Sequence, residues 1–177
     1  DLRAHSIKIK YLIIHYTAMR SHEEAIKYLC NKNNKVSSHF LINKTGDVFN
    51  LVNLSFRAWH AGKSFWKKES DINSSSLGIE LDNSGHFLDF ENFSALQIEA
   101  LIKLIKYLKK KYKIKPHNIL GHSDIAPYRK FDPGEKFPWK KLYNKDICFF
   151  PLKLSISRSR TIDEKLNKIF AASMKSR

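Results

Sequence analysis

The sequence predicts an α/β domain: a single domain with a mixed central β-sheet flanked by α-helices. Residues 7–15 begin with alternating polarity and turn continuously apolar through Leu12-Ile13-Ile14, the pattern of a strand whose second half is buried on both faces. Leu77 to Asp82 has the same character, and residues 94–112 carry a helical apolar stripe. Such strands alternating with helices, plus one hairpin, indicate a mixed sheet covered by helices.

Taken in order, the first strand ends at His15, where a side chain can point into a pocket or be hydrogen-bonded in the core. Ser21 reads as the N-cap of a short helix over residues 23–31, with Glu24 completing a capping box and Ala25, Ile26 and Leu29 facing inward. Residues 36–52 read as a hairpin with Gly46 in its turn. Residues 56–62 are aromatic and short, and residues 63–76 are expected to form a long polar surface loop. There Phe65-Trp66 is either a local anchor or the border of a groove.

Glu80 lies in the predicted strand 77–82. A carboxylate among Ile and Leu should be paired or functional, since burying it alone costs several kcal/mol, about 3–5. The helix over residues 94–112 starts with a Ser94/Gln97 capping box and turns Leu101, Leu104, Ile105, Leu108 and Tyr112 inward. Pro116 follows it, and residues 118–120 form a short strand. Residues 149–156 read as one more strand, and 161–174 as an amphipathic helix docked on the domain. The expected organisation is therefore a catalytic domain over residues 1–145 and a C-terminal extension over 146–177.

The stretch Gly121-His122-Ser123-Asp124-Ile125-Ala126-Pro127-Tyr128-Arg129-Lys130-Phe131-Asp132-Pro133-Gly134-Glu135-Lys136-Phe137-Pro138-Trp139 holds three Pro and two Gly, which excludes a long helix and describes a rigid, turn-rich loop. Its His122, Lys130 and Asp132 are accounted for either by turn capping and solvation or by a divalent metal held by His122 and Asp132. His15 supplies a third ligand. Two imidazoles and a carboxylate are a common catalytic zinc set that leaves one position open. Glu80 is then the candidate base and Lys130 the candidate positive charge at a developing oxyanion. A serine nucleophile is disfavoured, because no G-x-S-x-G elbow is present.

Composition bounds the alternatives. The 177 residues are 42% hydrophobic and 28% charged, as expected of a folded globular chain, and no apolar run is long enough to span a bilayer. No secretory signal is recognised at the start of the chain. Cys30 and Cys148 are expected to be buried thiols. The formal charge of +15 favours polyanionic partners, but a Lys- and Asn-rich composition of any origin gives the same excess. Without a focused basic motif, no nucleic-acid partner is expected.

His15-Tyr16-Thr17-Ala18, Ser38 to Ile42, Ala58-Trp59-His60-Ala61-Gly62, Gly78 to Leu81 and the 121–139 stretch together resemble the zinc-dependent N-acetylmuramoyl-L-alanine amidases of the type 2 group, which includes the muropeptide-recycling amidases and the peptidoglycan-recognition proteins. The resemblance covers about residues 8–142. It implies one Zn²⁺ bound by His15, His122 and Asp132, with Asp132 rather than Asp124 as the carboxylate ligand. It also implies hydrolysis of the amide between the muramic lactyl group, in plain or 1,6-anhydro form, and L-Ala of the stem peptide. A zinc-activated water attacks, Glu80 serves as general base and Lys130 stabilises the oxyanion. Trp59 and His60 fall where the family lines its substrate groove, and His39 reads as structural. The partners implied are peptidoglycan or muropeptides; a monomer is favoured, and the compartment stays open between bacterial cytoplasm, periplasm and the outside of the cell. The alternative is a recognition module of the same fold that binds peptidoglycan without cutting it.

Overall fold

A computed structural model describes residues 1–3 and 7–150 of the chain. Five strands form one sheet: β1 (Tyr11–Tyr16), β2 (Phe40–Ile42), β3 (Val48–Asn50), β4 (Ser76–Leu81) and β5 (Ile119–Gly121). Their order is β3-β2-β4-β1-β5. The pairs β1/β4, β1/β5 and β2/β4 are parallel and the β2/β3 hairpin is antiparallel, so the sheet is mixed as expected. The helices are α1 (His22–Cys30), α2 (Ile72–Ser75), α3 (Ala95–Tyr112), α4 (His122–Ile125) and α5 (Trp139–Tyr143).

Local sequence explains most of these boundaries. Ser21 caps α1 by accepting from the Glu24 amide, and Ser94 caps α3 by accepting from the Gln97 amide. The hairpin turn needs Gly46, whose φ of +91° lies in the left-handed region. Every residue of β1 and β4 is buried, which is why their sequences read as continuous rather than alternating.

The sheet has two unlike faces. On one, Leu12, Ile14, Phe40, Ile42, Leu77, Ile79, Leu81 and Ile119 pack against Ile98, Leu101, Ile102, Ile105 and Leu108 of α3. On the other, Tyr11, Ile13 and Leu120 meet Ala61, Ile72 and Ile125, while Leu41 packs under Ala25 and Leu29 of α1. The periodic odd members of β1 therefore carry His15 onto this second face.

Four details differ from expectation. The buried stripe of α3 includes Gln97, Ile98 and Ile102, whereas Leu104 and Tyr112 are only partly covered. Residues 63–76 are not wholly a surface loop: they end in α2, whose four residues are all buried. Ser and Asn suit such a buried turn because their side chains bond backbone groups that have no ladder partner, as when Asn73 Oδ1 accepts the His60 and Ala61 amides at 3.0 and 2.8 Å. Cys30 is exposed at the end of α1, so only Cys148 is a buried thiol. Helix α5 was not anticipated, because its five residues are too few to show a period.

Ile147 and Cys148, just beyond the boundary expected at residue 145, lie in the α3-side core. The expected strand at 149–156 falls almost entirely, and the expected helix at 161–174 wholly, outside the described residues. No helix among the described residues is long and apolar enough to cross a membrane.

Candidate metal centre

The parallel register of β1 and β4 sets His15 directly beside Glu80. Partnered residues on neighbouring strands share a face, so both side chains project from the second face of the sheet, at the C-terminal end of the parallel strands. Strand β5 runs beside β1 and delivers His122 as the first residue of α4. The loop after α4 then folds back and places Asp132 against both histidines.

Three atoms converge. Asp132 Oδ2 lies 2.9 Å from His15 Nδ1 and 3.0 Å from His122 Nδ1, and the two nitrogens are 3.0 Å apart. His15, His122 and Asp132 are all buried, and among the described residues they are the group that could hold a metal ion. Asp124 is not part of it: its Oδ2 turns back to accept the Gly121 amide at 2.7 Å.

The donor set fits a zinc ion. His122 Nε2–H donates to the Ala61 carbonyl at 3.1 Å, which leaves the Nδ1 lone pair available to a metal. Ligand bonds of about 2.0–2.2 Å in a tetrahedron give edges of about 3.3–3.6 Å, so the three atoms, now 2.9–3.0 Å apart, would spread by only a few tenths of an ångström to hold the ion. Burial, followed by the nearby His122 ring, lowers the His15 pKa to about 4. Burial opposes ionisation of Asp132, but its contacts with His122 and His15 outweigh that and hold the carboxyl well below the usual range. Two imidazoles and one carboxylate therefore face a common point, a donor set that suits a divalent cation.

A cavity of about 330 Å³ opens over this cluster, lined among others by His15, Glu80, His122, Arg129, Lys130 and Asp132. Burial pushes the Glu80 carboxyl well above its ordinary pKa, the Asp132 charge adds to the rise, and the Lys130 charge opposes it. The expected base and the expected cation thus share one cavity with the expected ligands.

The two residues expected to line the groove are placed differently. His60 borders the cavity but is 5% exposed, and both its ring nitrogens are engaged inside the protein, Nδ1 with His15 Nε2 at 3.0 Å and Nε2 with Ser76 Oγ at 3.1 Å. With both ring nitrogens engaged in this way, what it offers the cavity is ring surface. Trp59 does not line the central cavity. It borders a neighbouring one of about 430 Å³, together with Lys32, Lys35, Phe56 and Arg57, and Leu29 and Val36 are common to both. His39 is structural as expected, with Nδ1 accepting the Gly78 amide at 3.0 Å.

Arg129 was missed. Its guanidinium donates to the carbonyls of Ala61 and Lys63, both at 2.8 Å, and so ties the 58–63 loop to the loop that carries Asp132. No sequence signal could have found it, because its partners are backbone carbonyls that are identical for every residue type. Asn73 was missed for a similar reason: its Oδ1 accepts the amides of His60 and Ala61 at 3.0 and 2.8 Å.

Comparison with known proteins agrees with this geometry. The family profile described as N-acetylmuramoyl-L-alanine amidase matches residues 5–135. The N-acetylmuramoyl-L-alanine amidase AmiD of Escherichia coli (strain K12) is 40% identical over 156 residues, covering 81% of this chain and 55% of AmiD. The 1,6-anhydro-N-acetylmuramyl-L-alanine amidase AmpD of Haemophilus influenzae is 39% identical over 108 residues, 60% of this chain and 56% of AmpD. The structure of E. coli AmiD with anhydro-N-acetylmuramic acid-L-Ala-D-γ-Glu-L-Lys superposes with a TM-score of 0.77 at 38% identity, covering 85% of this chain and 63% of that one. The chain spans about half the length of the curated relatives it matches.

Proposed function

The chain belongs to the N-acetylmuramoyl-L-alanine amidase family, and from that premise we propose that it hydrolyses the amide between the muramic lactyl group and L-Ala of peptidoglycan stem peptides. In this reading His15, His122 and Asp132 hold one zinc ion, Glu80 is the base and Lys130 carries positive charge to the oxyanion. The observation that supports it most is the convergence of His15 Nδ1, His122 Nδ1 and Asp132 Oδ2 beneath a cavity that Glu80 and Lys130 also line. A recognition module needs the groove but not this set of groups.

Zinc held there would supply Lewis acidity to the amide carbonyl and to a water molecule. The chain's own residues do the rest. Glu80, held beside His15 by strand register, lies where it can take a proton from the attacking water and pass it to the leaving amine. Burial, followed by the Asp132 charge, raises its pKa, so it holds a proton more readily than an exposed carboxylate does, which suits both steps. Lys130 brings a side-chain cation to the same cavity wall, at the end of a loop fixed by backbone bonds from Arg129 and Lys130 to the Ala126 carbonyl, both 3.0 Å. Lys32, Lys35 and Arg57 around the neighbouring cavity extend positive charge away from the centre and suit the carboxylates of a stem peptide, with Trp59 as an apolar wall.

The substrate form follows from the relatives. E. coli AmiD is seen with an anhydro-muramyl tripeptide, and we extend that class of ligand to this chain. The test is mass spectrometry of products after incubation with purified peptidoglycan and, separately, with anhydro-muropeptides, each with and without a chelator. Chelator-sensitive release of free stem peptides is expected, together with loss of both zinc and turnover in His122→Ala. Binding without release from either substrate would replace this reading with a recognition module.

A further inference from the structure

We infer that His60 is a positioning residue that acts through His15, presenting the His15 Nδ1 lone pair to the metal from a relay that begins at a backbone carbonyl. The inference rests on the zinc site proposed above and assigns His60 a role distinct from contact with substrate.

The direction of each bond follows from the groups along the relay. Ser76 Oγ lies 2.5 Å from the Ile72 carbonyl, which can only accept, so the hydroxyl proton points there. Ser76 Oγ is then an acceptor toward His60 Nε2, 3.1 Å away, and that nitrogen carries the ring proton. His60 Nδ1 is left bare and accepts from His15 Nε2–H at 3.0 Å. His15 Nδ1 is therefore unprotonated and faces Asp132 and His122. A neutral imidazole has one N–H, so fixing the outer nitrogen fixes the inner one.

The surroundings make this relay rigid. The His60 ring lies on the backbone of β4 at Gly78, where an added Cβ would stand 2.5 Å from His60 Cγ. Its main-chain amide and that of Ala61 are both held by Asn73 Oδ1. The same short loop also offers the Ala61 carbonyl to His122 Nε2–H. One loop thus orients both histidines, His15 through a side chain and His122 through a carbonyl. The His15 and His60 rings meet edge to face, with centroids 5.1 Å apart, which aims one nitrogen at the other. Outer-shell partners of this kind typically change metal affinity by about 10–100-fold.

The experiment combines zinc affinity, measured by chelator competition, with long-range ¹H–¹⁵N spectra of the histidines. In the zinc-bound protein, His60 and His15 are both expected as Nε2–H tautomers. His60→Leu, which fills much of the same volume without an acceptor, is expected to bind zinc about 10–100-fold more weakly. His60→Asn places an amide oxygen where Nδ1 stood, and is expected to stay within a few-fold of the unaltered protein. A proton on His60 Nδ1 in the spectrum would overturn the relay without recourse to any variant. So would undiminished zinc affinity in His60→Leu, or an equal loss in His60→Leu and His60→Asn. Failure of the unaltered protein to bind zinc would instead defeat the zinc site, whereas bound zinc with a proton on His60 Nδ1 would overturn the relay alone.

Discussion

The two faces of the central sheet are built from the same strands, yet one is dry and the other is full of groups that are costly to bury. On the α3 side, Leu12, Ile14, Leu77, Ile79 and Leu81 pack among apolar side chains, with Gln97 a polar exception whose Nε2 donates to the Ile42 and Asp82 carbonyls at 2.9 and 3.1 Å. On the opposite side, the same two strands present His15, Ser76 and Glu80, and Gly78 is open to the His60 ring. The comparison shows a division of labour. The dry face supplies the hydrophobic stabilisation that lets the other face hold neutral histidines and a high-pKa carboxylate away from water.

The sharpest way to break this division is to change one group on the site face. Glu80→Gln is nearly isosteric and is expected to lower kcat by about 10²–10⁴-fold while zinc content and thermal stability stay close to the unaltered protein. Turnover that survives in Glu80→Gln would remove Glu80 from the chemistry. The complementary change is Leu101→Ala on the dry face. There the expected result is a loss of about 2–5 kcal/mol in denaturant unfolding, with unchanged kcat for the folded fraction. A fall in kcat instead would mean that the α3 face also positions the site.

The site face should betray its cost through pH. Burial holds His15 and His39 at pKa values of about 4 and His60 well below its ordinary value. In the unfolded chain these groups take up protons near their ordinary value of ~6.5. Between about pH 6.5 and 4 the unfolded state binds more protons, so this stability is present above that window and is lost as pH falls through it. Glu80, with its raised pKa, works in the opposite direction, binding a proton in the folded state above the ordinary carboxylate range. Three imidazoles against one carboxyl leave a net of about two protons, a slope of roughly 2–3 kcal/mol per pH unit at most. Melting of the metal-free protein at pH 7, 6 and 5 measures it; a flat profile would mean that water already reaches these rings. The smallest effect expected is from Ser94→Ala, which removes the cap of α3 on the dry side and should cost ~1 kcal/mol with no change in zinc affinity.

The contrast also explains what could be read in advance. The dry face is legible because apolar periodicity and capping residues are local signals: Ser21 and Ser94 mark where α1 and α3 begin, and the Leu12 and Ile79 runs mark buried strands. His15, Glu80, His122, Lys130 and Asp132 were all singled out, the first two as polar positions of apolar strands, the other three in the rigid loop, and all five by their fit to one family's order of motifs. Their juxtaposition in one cavity agrees with that choice. Arg129, Asn73 and the Ala61 carbonyl were not legible. Their partners are backbone atoms brought close only when three loops meet, and no spacing in the chain encodes them.

By itself, then, the sequence determined the fold class, the starts of α1 and α3, the hairpin turn at Gly46 and the identity of the polar residues that strand ends and the rigid loop carry toward one place. These follow from propensity, periodicity and capping, which act over a few residues. The tertiary structure decided that His15 stands in register with Glu80, that Asp132 rather than Asp124 turns inward, and that Trp59 belongs to a second cavity. It also decided that His60 spends both ring nitrogens within the protein. Those choices depend on strand register, on loops meeting across more than forty residues of chain, and on which lone pair each proton leaves bare.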